Sequence, residues 1–482
     1  MACDIDTDHR AEGADDVTKV FDAIVIGAGP GGEVCAGALA DGGLKVAIVE
    51  RELVAGECSY WACMPTKTLL RPGEALAAAR RVPGAREAIT GELDVAQALA
   101  FRDWITAGWD DTGQVGWLEE HGIELIRGTG RIAGPGMVAV SPTAGDGTER
   151  LVATERIVVA TGSSPIIPAV PGLAGLPGLW TNREITTMTQ IPRRLLILGG
   201  GAVGVEMAQA VVRLGGAVVL IGGAPHLLPR EAAPLGEAVA EALRADGVDV
   251  RLGERATSAR MEGGDYVLGF ADGDEVRGDR LLVATGRAPR TSGIGLETIG
   301  VAPDPHGVAV DERMRVAEGV WAVGDVTGVF AFTHVGKYQG RIAAVDILGG
   351  EARADYRAVP RVVFTDPQAV AVGAVEGPLT GTATMSQVPR AFTYERPLER
   401  PGYLTLISDG EVLIGAHAVG PEAGEWLGQA TLAIRARVPL DVLRDTIQPF
   451  PTFSEIYVGA LDDLCGSAGA CITVAQSRAA AH

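Results

Sequence analysis

The sequence predicts an α/β protein with two doubly wound, Rossmann-like nucleotide-binding domains and a C-terminal α+β domain. An apolar strand that runs into a glycine-rich turn occurs twice, at residues 21–32 and 193–204. Each copy continues into a stretch able to form a helix and then a second apolar strand, which is the order of a βαβ unit. From about residue 358 the pattern changes to strands separated by short turns, as in an antiparallel sheet.

Length and charge exclude several classes of function. The 482 residues suffice for about three domains. With 41 Lys and Arg against 61 Asp and Glu, the net charge of −20 argues against a nucleic-acid partner or an anionic membrane surface. An apolar run of about 18 residues is lacking, so no membrane span is predicted. The acidic, polar residues 1–19 show no apolar signal core and predict a disordered arm on a cytoplasmic protein.

The first glycine-rich turn, GAGPGG at residues 27–32, has the spacing of a dinucleotide site. Gly27 permits the tight turn, Gly29 lets a pyrophosphate approach the backbone, and Gly32 lets the helix pack close to the strand. Glu50 ends the following strand, where its carboxylate can accept hydrogen bonds from a ribose. The turn, the helix and the acid together predict a bound dinucleotide.

The second turn, GGGAVG at residues 199–204, repeats this spacing through Gly199, Gly201 and Gly204. Its following strand ends in Gly222, where a site that prefers NAD would carry an acid. No arginine follows at once to bind a 2′-phosphate, although His226 and Arg230 are near, so both NAD and NADP stay open. The alternative is a nucleotide fold that has lost its ligand.

Two further apolar strands end in the sequence ATG, at residues 156–162 and 280–286, and proline-containing loops follow both. Such loops are typical of chain crossings between domains. Thr161 and Gly162 after the first strand, and Gly286 and Arg287 after the second, are predicted to contact the bound cofactors.

Cys58 and Cys63 are separated by four residues, about one helical turn, so their sulfur atoms can meet. In a cytoplasmic oxidoreductase such a pair is more often redox-active than structural, and a nearby helix N-terminus would favour the thiolate. The alternatives are half of a metal site or two buried thiols. No second Cys or His pair has ligand spacing, so no metal is predicted.

These motifs, in this order, resemble the pyridine nucleotide–disulfide oxidoreductases, in the branch of glutathione reductase, dihydrolipoamide dehydrogenase and mercuric reductase. The resemblance covers about residues 21–458. Four segments are similar to family motifs: GECSYWACMPTK around the cysteines, WAVGDVTG at 321–328, and VVFTDP and GAHAVGPEAGE in the C-terminal part.

The resemblance implies the cofactors FAD and either NAD or NADP, and a homodimer formed through the C-terminal domain. Asp325 would bind the ribityl chain of FAD, Gly324 would be a further cofactor-binding residue, and Lys67 and Glu206 would pair beside the flavin ring. NAD(P)H would reduce the flavin, and the flavin would then open a disulfide between the cysteines. Cys63 would be the thiol against the ring, and Cys58 the thiol that attacks the substrate.

Domain limits follow from the motifs. The FAD-binding domain is predicted at residues 20–160 and 289–357, and the NAD(P)-binding domain at 161–288. The interface domain and a cysteine-containing tail are predicted at 358–482.

The sequence departs from the family in its acid–base signature, and Tyr60 and Trp61 are also unlike the family's usual residues. The family acid–base signature is His-Pro-Thr-x-x-Glu, but here Phe450 replaces the histidine while Glu455 is kept. Phenylalanine cannot move a proton. His334 precedes a flavin-side helix in the family and is the better substitute donor, Tyr457 is a weak one, and His417 reads as structural. Glu455 is either catalytic or a structural carboxylate.

Phe450 leaves several interpretations open. The substrate is a small disulfide whose thiolate needs no acid, or it is a quinone, a metal ion or another acceptor. A third interpretation is that a second redox pair, Cys465 and Cys471 in the tail, carries the electrons onward to the substrate. The protein could also be a flavin-binding subunit with little turnover. Tyr60 and Trp61 could stack on flavin or substrate, although such aromatic residues more often pack.

Overall fold

The computed structural model describes residues 17–144, 149–395 and 402–468. The chain divides into two compact units. The first unit comprises residues 1–58, 110–164 and 288–354, and the second comprises 59–109, 165–287 and 355–482. Residues 1–16 of the predicted arm lie outside the described part. The remaining three do not belong to an arm, because the first strand begins at Val17 and pairs with Leu151. The predicted domain limits stay predictions.

The described residues form strands β1 to β21 in chain order. Their bounds are Val17–Ile26, Val46–Glu50, Glu124–Gly134, Met137–Pro142, Arg150–Val159, Ser163–Pro165, Arg194–Leu198, Ala217–Gly222, Asp249–Leu252, Ser258–Glu262, Asp265–Gly269, Glu275–Gly278, Arg280–Val283, Arg287–Pro289, Arg315–Ala317, Val320–Ala322, Pro360–Val363, Gln368–Gly373, Leu379–Thr384, Tyr403–Ser408 and Leu413–Gly420.

Helices α1 to α14 are found in the same residues. Their bounds are Pro30–Asp41, Gly56–Tyr60, Cys63–Arg81, Val95–Ile105, Thr112–Glu120, Asn182–Thr186, Ala202–Arg213, Ala233–Ala245, Thr333–Ile347, Pro389–Tyr394, Ala423–Trp426, Gly428–Ala436, Leu440–Arg444 and Ile456–Ala468. None of these helices is long and apolar enough to cross a membrane.

The first unit is built on a seven-stranded sheet. Its parallel core runs β3–β2–β1–β5–β16, and β4 and β15 join antiparallel. The apolar run of β1 explains its central place, because Ile24 and Val25 are fully buried on opposite faces. Glycines let α1 and α9 pack closely: a Cβ on Gly340 would lie 2.5 Å from the Gly31 carbonyl oxygen.

The second unit contains three sheets. A parallel sheet has the order β13–β7–β8–β9, β10 to β12 form an antiparallel sheet, and β17–β18–β21–β20–β19 form a five-stranded antiparallel sheet. The third sheet packs with α14 around Tyr457 and Leu464. The predicted fold class, two doubly wound sheets and a C-terminal α+β part, is confirmed.

Candidate active site

The first glycine turn connects β1 to α1, and its three key glycines face different surroundings. Gly27 has φ +108°, and a Cβ there would lie 2.3 Å from the Ala160 carbonyl oxygen. A Cβ on Gly32 would lie 2.1 Å from the Gly27 carbonyl oxygen, whereas a Cβ on Gly29 would meet nothing within 4 Å. Protein packing therefore requires the outer glycines, and the middle one borders open space at the N-terminus of α1. This cradle fits a pyrophosphate.

Glu50, the last residue of β2, lies beside this turn. Its Oε2 accepts a hydrogen bond of 2.8 Å from the Ala28 N–H, and its Oε1 accepts one of 2.8 Å from the Glu52 N–H. The two bonds fix the carboxylate at the edge of the cradle. From there it can accept hydrogen bonds from ribose hydroxyls, as the sequence predicts.

The segments after β5 and β16 meet because these strands are parallel neighbours. Ser163 Oγ donates a hydrogen bond of 2.6 Å to Asp325 Oδ2, and the Gly324 N–H donates one of 2.7 Å to Gln339 Oε1. Thr161 Oγ1 donates a hydrogen bond of 2.9 Å to the Arg290 carbonyl oxygen, and the Arg290 N–H donates one of 2.9 Å to the Gly162 carbonyl oxygen. The predicted flavin residues of this unit are therefore gathered at one edge of the sheet.

The turn between β7 and α7 repeats the first cradle. Gly199 has φ +118°, and a Cβ there would lie 2.3 Å from the Ala284 carbonyl oxygen. A Cβ on Gly204 would lie 1.9 Å from the Gly199 carbonyl oxygen, whereas one on Gly201 would meet nothing within 4 Å. The packing that requires glycine, and the opening at Gly201, fit a second dinucleotide.

The residues after β13 are engaged in protein contacts. The Gly286 carbonyl oxygen accepts a hydrogen bond of 3.0 Å from the Ile166 N–H. Arg287 Nη1 donates one of 2.8 Å to Asn182 Oδ1. Their predicted role in cofactor binding stays a prediction.

Cys58 and Cys63 are both half-buried. Cys58 lies in α2, and the hydroxyl of Thr333, the first residue of α9, donates a hydrogen bond of 3.1 Å to its Sγ. Cys63 is the first residue of α3, where the helix dipole favours a negative charge. The role of Thr333 could not be predicted from the sequence, because it lies 275 residues from Cys58 and forms part of no cysteine motif.

Replacing Thr333 by valine is expected to slow the alkylation of Cys58 in the reduced enzyme. A hydroxyl that donates to sulfur favours the thiolate, and a hydrogen bond to a charged group contributes about 1.5 kcal/mol or more, or roughly tenfold. The pKa of the thiol should therefore rise, and the pH profile of iodoacetamide alkylation at Cys58 should shift upward. Thr333→Ser keeps the hydroxyl and serves as the control. Equal profiles for valine, serine and the unchanged protein would contradict this role.

Lys67 and Glu206 form an ion pair in the second unit, as the resemblance implies. Lys67 Nζ lies 2.8 Å from Glu206 Oε2, and Glu206 is 3% exposed. The Phe364 N–H donates a hydrogen bond of 3.0 Å to Glu206 Oε1, and Lys67 Nζ lies 4.8 Å from the centroid of the Phe364 ring. Both carboxylate oxygens are thus satisfied, and the ammonium group is held in one place.

Tyr60 and Trp61, between the cysteines, are held by protein groups. The Trp61 carbonyl oxygen accepts a hydrogen bond of 2.9 Å from Asn182 Nδ2, and the Arg183 guanidinium lies 4.2 Å from the centroid of the Trp61 ring. Tyr60 is buried, and its carbonyl oxygen accepts a hydrogen bond of 3.1 Å from Trp109 Nε1. These contacts anchor the loop that precedes Cys63.

Phe450 is 74% exposed, in the segment between α13 and α14. Five residues on, Glu455 Oε2 accepts a hydrogen bond of 3.2 Å from the Thr452 N–H, so this carboxylate closes a capping box. His334 is exposed, and its ring stacks on the Phe332 ring with the two ring centroids 5.2 Å apart.

Two of the alternative proton donors are buried. Tyr457 is 1% exposed, its hydroxyl donates to the Trp426 carbonyl oxygen at 3.1 Å, and burial raises its pKa. The suggestion that Tyr457 replaces the histidine is therefore wrong. His417 lies within β21, 3.2 Å from the Tyr403 hydroxyl, and burial lowers its pKa to about 4, as suits a structural residue.

A redox tail formed by Cys465 and Cys471 stays a prediction. Cys465 lies on α14 and is disulfide-bonded. Cys471 lies outside the described residues. Among the residues that the structure covers, no three His, Cys, Asp or Glu side chains are arranged to hold a metal ion.

The fold and the two glycine cradles define a protein that binds two dinucleotides. Comparison with protein families gives the class: residues 21–340 match the family described as pyridine nucleotide-disulphide oxidoreductase, and residues 359–461 match its dimerisation domain. The chain belongs to this family. It is a flavin-dependent oxidoreductase that uses FAD and NAD(P)H, and its dimerisation domain supports a homodimer.

Several known proteins are similar over most of the chain. A mercuric reductase of Acidithiobacillus ferrooxidans is 35% identical over 446 residues, which cover 89% of this chain and 80% of that protein. A dihydrolipoyl dehydrogenase of Thermus scotoductus is 36% identical over 470 residues, which cover 92% of this chain and 98% of that protein. The Cu(II) complex of RclA, an HOCl-induced flavoprotein disulfide reductase of Escherichia coli, superposes with a TM-score of 0.80 at 26% identity, covering 93% and 99%.

Proposed function

We propose that the protein reduces a small-molecule disulfide with NAD(P)H, through a redox disulfide formed by Cys58 and Cys63. The main supporting observation is the setting of Cys58, which is half-buried, accepts a hydrogen bond from Thr333, and lies five residues before a second cysteine at a helix N-terminus. The similarity to RclA, which is described as a flavoprotein disulfide reductase, favours a disulfide substrate.

Bound FAD supplies the transfer of a hydride equivalent from NAD(P)H to the cysteine pair. The thiolate of Cys58 then attacks one sulfur of the substrate disulfide, forming a mixed disulfide and releasing the first substrate thiolate. Cys63 attacks Cys58, which restores the protein disulfide and releases the second. Two electrons and two protons are consumed for each disulfide reduced.

The remaining site residues bind and orient. Gly29 and Gly201 would let the two pyrophosphates approach the backbone, and Glu50 and Asp325 would bind the ribose and the ribityl chain of FAD. The ion pair of Lys67 with Glu206 would hold a positive charge beside the flavin.

The proposal is tested by counting thiols. The holoenzyme is treated anaerobically with excess NADPH or NADH, denatured, and titrated with a chromogenic disulfide. The Cys465→Ser/Cys471→Ser background removes the tail. We expect two thiols more than in the untreated protein.

Cys58→Ser or Cys63→Ser should abolish this gain and lower disulfide turnover about 10³-fold or more, while NAD(P)H still bleaches the flavin. Cys35→Ala removes a cysteine that is fully buried in α1 and should keep the gain. An unchanged thiol count, or full turnover in Cys58→Ser, would refute the proposal.

A second candidate function is the reduction of a metal ion or a quinone. The absence of a histidine at position 450 favours it, because these acceptors need no protonated leaving group. The mercuric reductases among the relatives point the same way. Quinone turnover that survives Cys58→Ser would support direct reduction by the flavin, and turnover lost in that variant would exclude it.

A further inference from the structure

The end of β8 differs from the end of β2 in a way that bears on the choice between NADH and NADPH. Glu50 follows Gly32 by 18 residues (50 − 32), and Gly222 follows Gly204 by the same interval (222 − 204). Both residues end the second strand of their βαβ unit. Gly222 therefore occupies the position of the acid that would bind the ribose 2′-hydroxyl of NADH.

The space at Gly222 is taken by apolar side chains. A Cβ there would lie 3.1 Å from Leu252 Cδ2 and 4.0 Å from Leu227 Cδ2. A side chain at this position would require the Leu252 side chain to move by a few tenths of an ångström. Position 222 therefore carries neither the group that selects NADH nor a negative charge that would repel a 2′-phosphate.

Arg255 lies beside the next residue, Gly223. A Cβ on Gly223 would lie 3.2 Å from Arg255 Cγ, 3.4 Å from Nε and 3.5 Å from Cζ, so glycine here leaves room for the guanidinium group. Arg255 lies in the segment between β9 and β10 and is exposed. It was not found from the sequence, because it is 33 residues beyond Gly222 (255 − 222) and outside the glycine motif.

Arg255 forms no ion pair with any residue that the structure describes. Within the described ranges, no carboxylate lies within 4.0 Å of its guanidinium group. Its neighbours differ: Arg251 contacts Asp274 at 2.6 Å, and Arg260 contacts Glu275 at 2.8 Å. In a chain of net charge −20, an arginine without a carboxylate beside a nucleotide cradle is suited to an anion. A guanidinium group binds phosphate oxygens in a bidentate manner.

We propose that Arg255 binds the 2′-phosphate of NADPH, and that NADPH is the preferred reductant. The inference rests on the proposed nicotinamide site in the second unit. It adds to that site a residue from outside the glycine motif and a reason for the glycines at 222 and 223.

Binding of cofactor fragments tests the inference without turnover. Isothermal titration of the oxidised FAD holoenzyme compares 2′,5′-ADP, which carries the 2′-phosphate, with 5′-AMP, which does not. We expect 2′,5′-ADP to bind about 10- to 100-fold more tightly. Arg255→Gln should remove most of this difference without changing the affinity for 5′-AMP, and Arg255→Lys should restore part of it.

Arg193→Gln is the matched control. Its side chain is 84% exposed, and it precedes β7, at the opposite end of that strand from the glycine turn. It removes one positive charge from the same unit and should leave the ratio unchanged. Equal effects of the two glutamine variants would show a general charge effect and overturn the assignment of Arg255.

The outcomes also separate this inference from the proposed function. Equal affinity of the unchanged protein for the two fragments, or a preference that survives Arg255→Gln, overturns the role of Arg255. The proposed function is still supported in that case if NADH bleaches the flavin and produces two thiols. If neither nucleotide bleaches the flavin, both proposals fail.

Discussion

Phe450→His is expected to raise the turnover of an ordinary disulfide, such as oxidised lipoamide or glutathione disulfide, by about 10²–10⁴-fold. The departing sulfur of the substrate leaves more readily when a general acid protonates it as the S–S bond breaks. Phenylalanine cannot supply this proton. Because Phe450 is 74% exposed in the single chain, the substitution removes little area buried within the subunit and should not affect its folding. The measurement is kcat and kcat/KM with each disulfide at several pH values.

The pH profile and two controls make this result interpretable. Phe450→Ala opens the same space without a proton donor and should show no gain. Glu455 would have to orient the new histidine, although its carboxylate now accepts from the Thr452 N–H. Phe450→His/Glu455→Gln should therefore lose part of the gain. A gain equal in the alanine variant would mean that Phe450 only blocks access.

No gain with any disulfide would favour the second candidate function. The proton donor would then be absent because the acceptor needs none. In that case Phe450→His should also leave the turnover of a quinone unchanged, which the same protein preparation can show.

Local spacing was enough to predict the cradles. Gly27 and Gly199 were predicted from short motifs, and their positive φ angles and close carbonyl contacts explain why glycine is required there. Glu50 followed from its place at a strand end. The geometry of these turns can be inferred locally because strand, turn and helix are consecutive in the chain.

Residues that reach the site from distant segments were missed. Thr333 contacts Cys58 across 275 residues, and Ser163 contacts Asp325 across 162. Arg255 belongs to a segment with no motif of its own. Sequence patterns report the periodicity of one element, whereas these contacts depend on which elements pack together. The suggestion of Tyr457 failed for the same reason, since its burial beneath α12 depends on tertiary packing.

The pairing of Lys67 with Glu206 shows how packing completes a motif. Lys67 lies on α3 and Glu206 on α7, 139 residues apart. A Cβ on Gly73 would lie 2.8 Å from Arg213 Cβ, so glycine lets the two helices approach closely. Leu69 and Leu70 join the same buried cluster as Val205 and Val211. The apolar contact between these helices brings the charged groups together.

Glu206→Ala is expected to lower the free energy of unfolding by about 1–2 kcal/mol, because it leaves Lys67, whose side chain is 36% exposed, without its counter-charge and removes the acceptor of the Phe364 backbone N–H. Glu206→Gln keeps an acceptor for that N–H and should cost less. The measurement is the midpoint of thermal and urea denaturation, with and without added FAD.

The ion pair of Glu231 with Arg361 provides the matched control. It joins side chains that are 14% and 15% exposed in the same unit at 2.7 Å, and it involves no predicted flavin residue. Glu231→Ala should lower the midpoint with and without FAD by similar amounts. If the pair of Lys67 with Glu206 also holds the flavin, Glu206→Ala should lower the midpoint more in the presence of FAD, because weaker binding stabilises the folded state less. Equal patterns in the two alanine variants would make Glu206 a structural carboxylate and remove Lys67 from the flavin site.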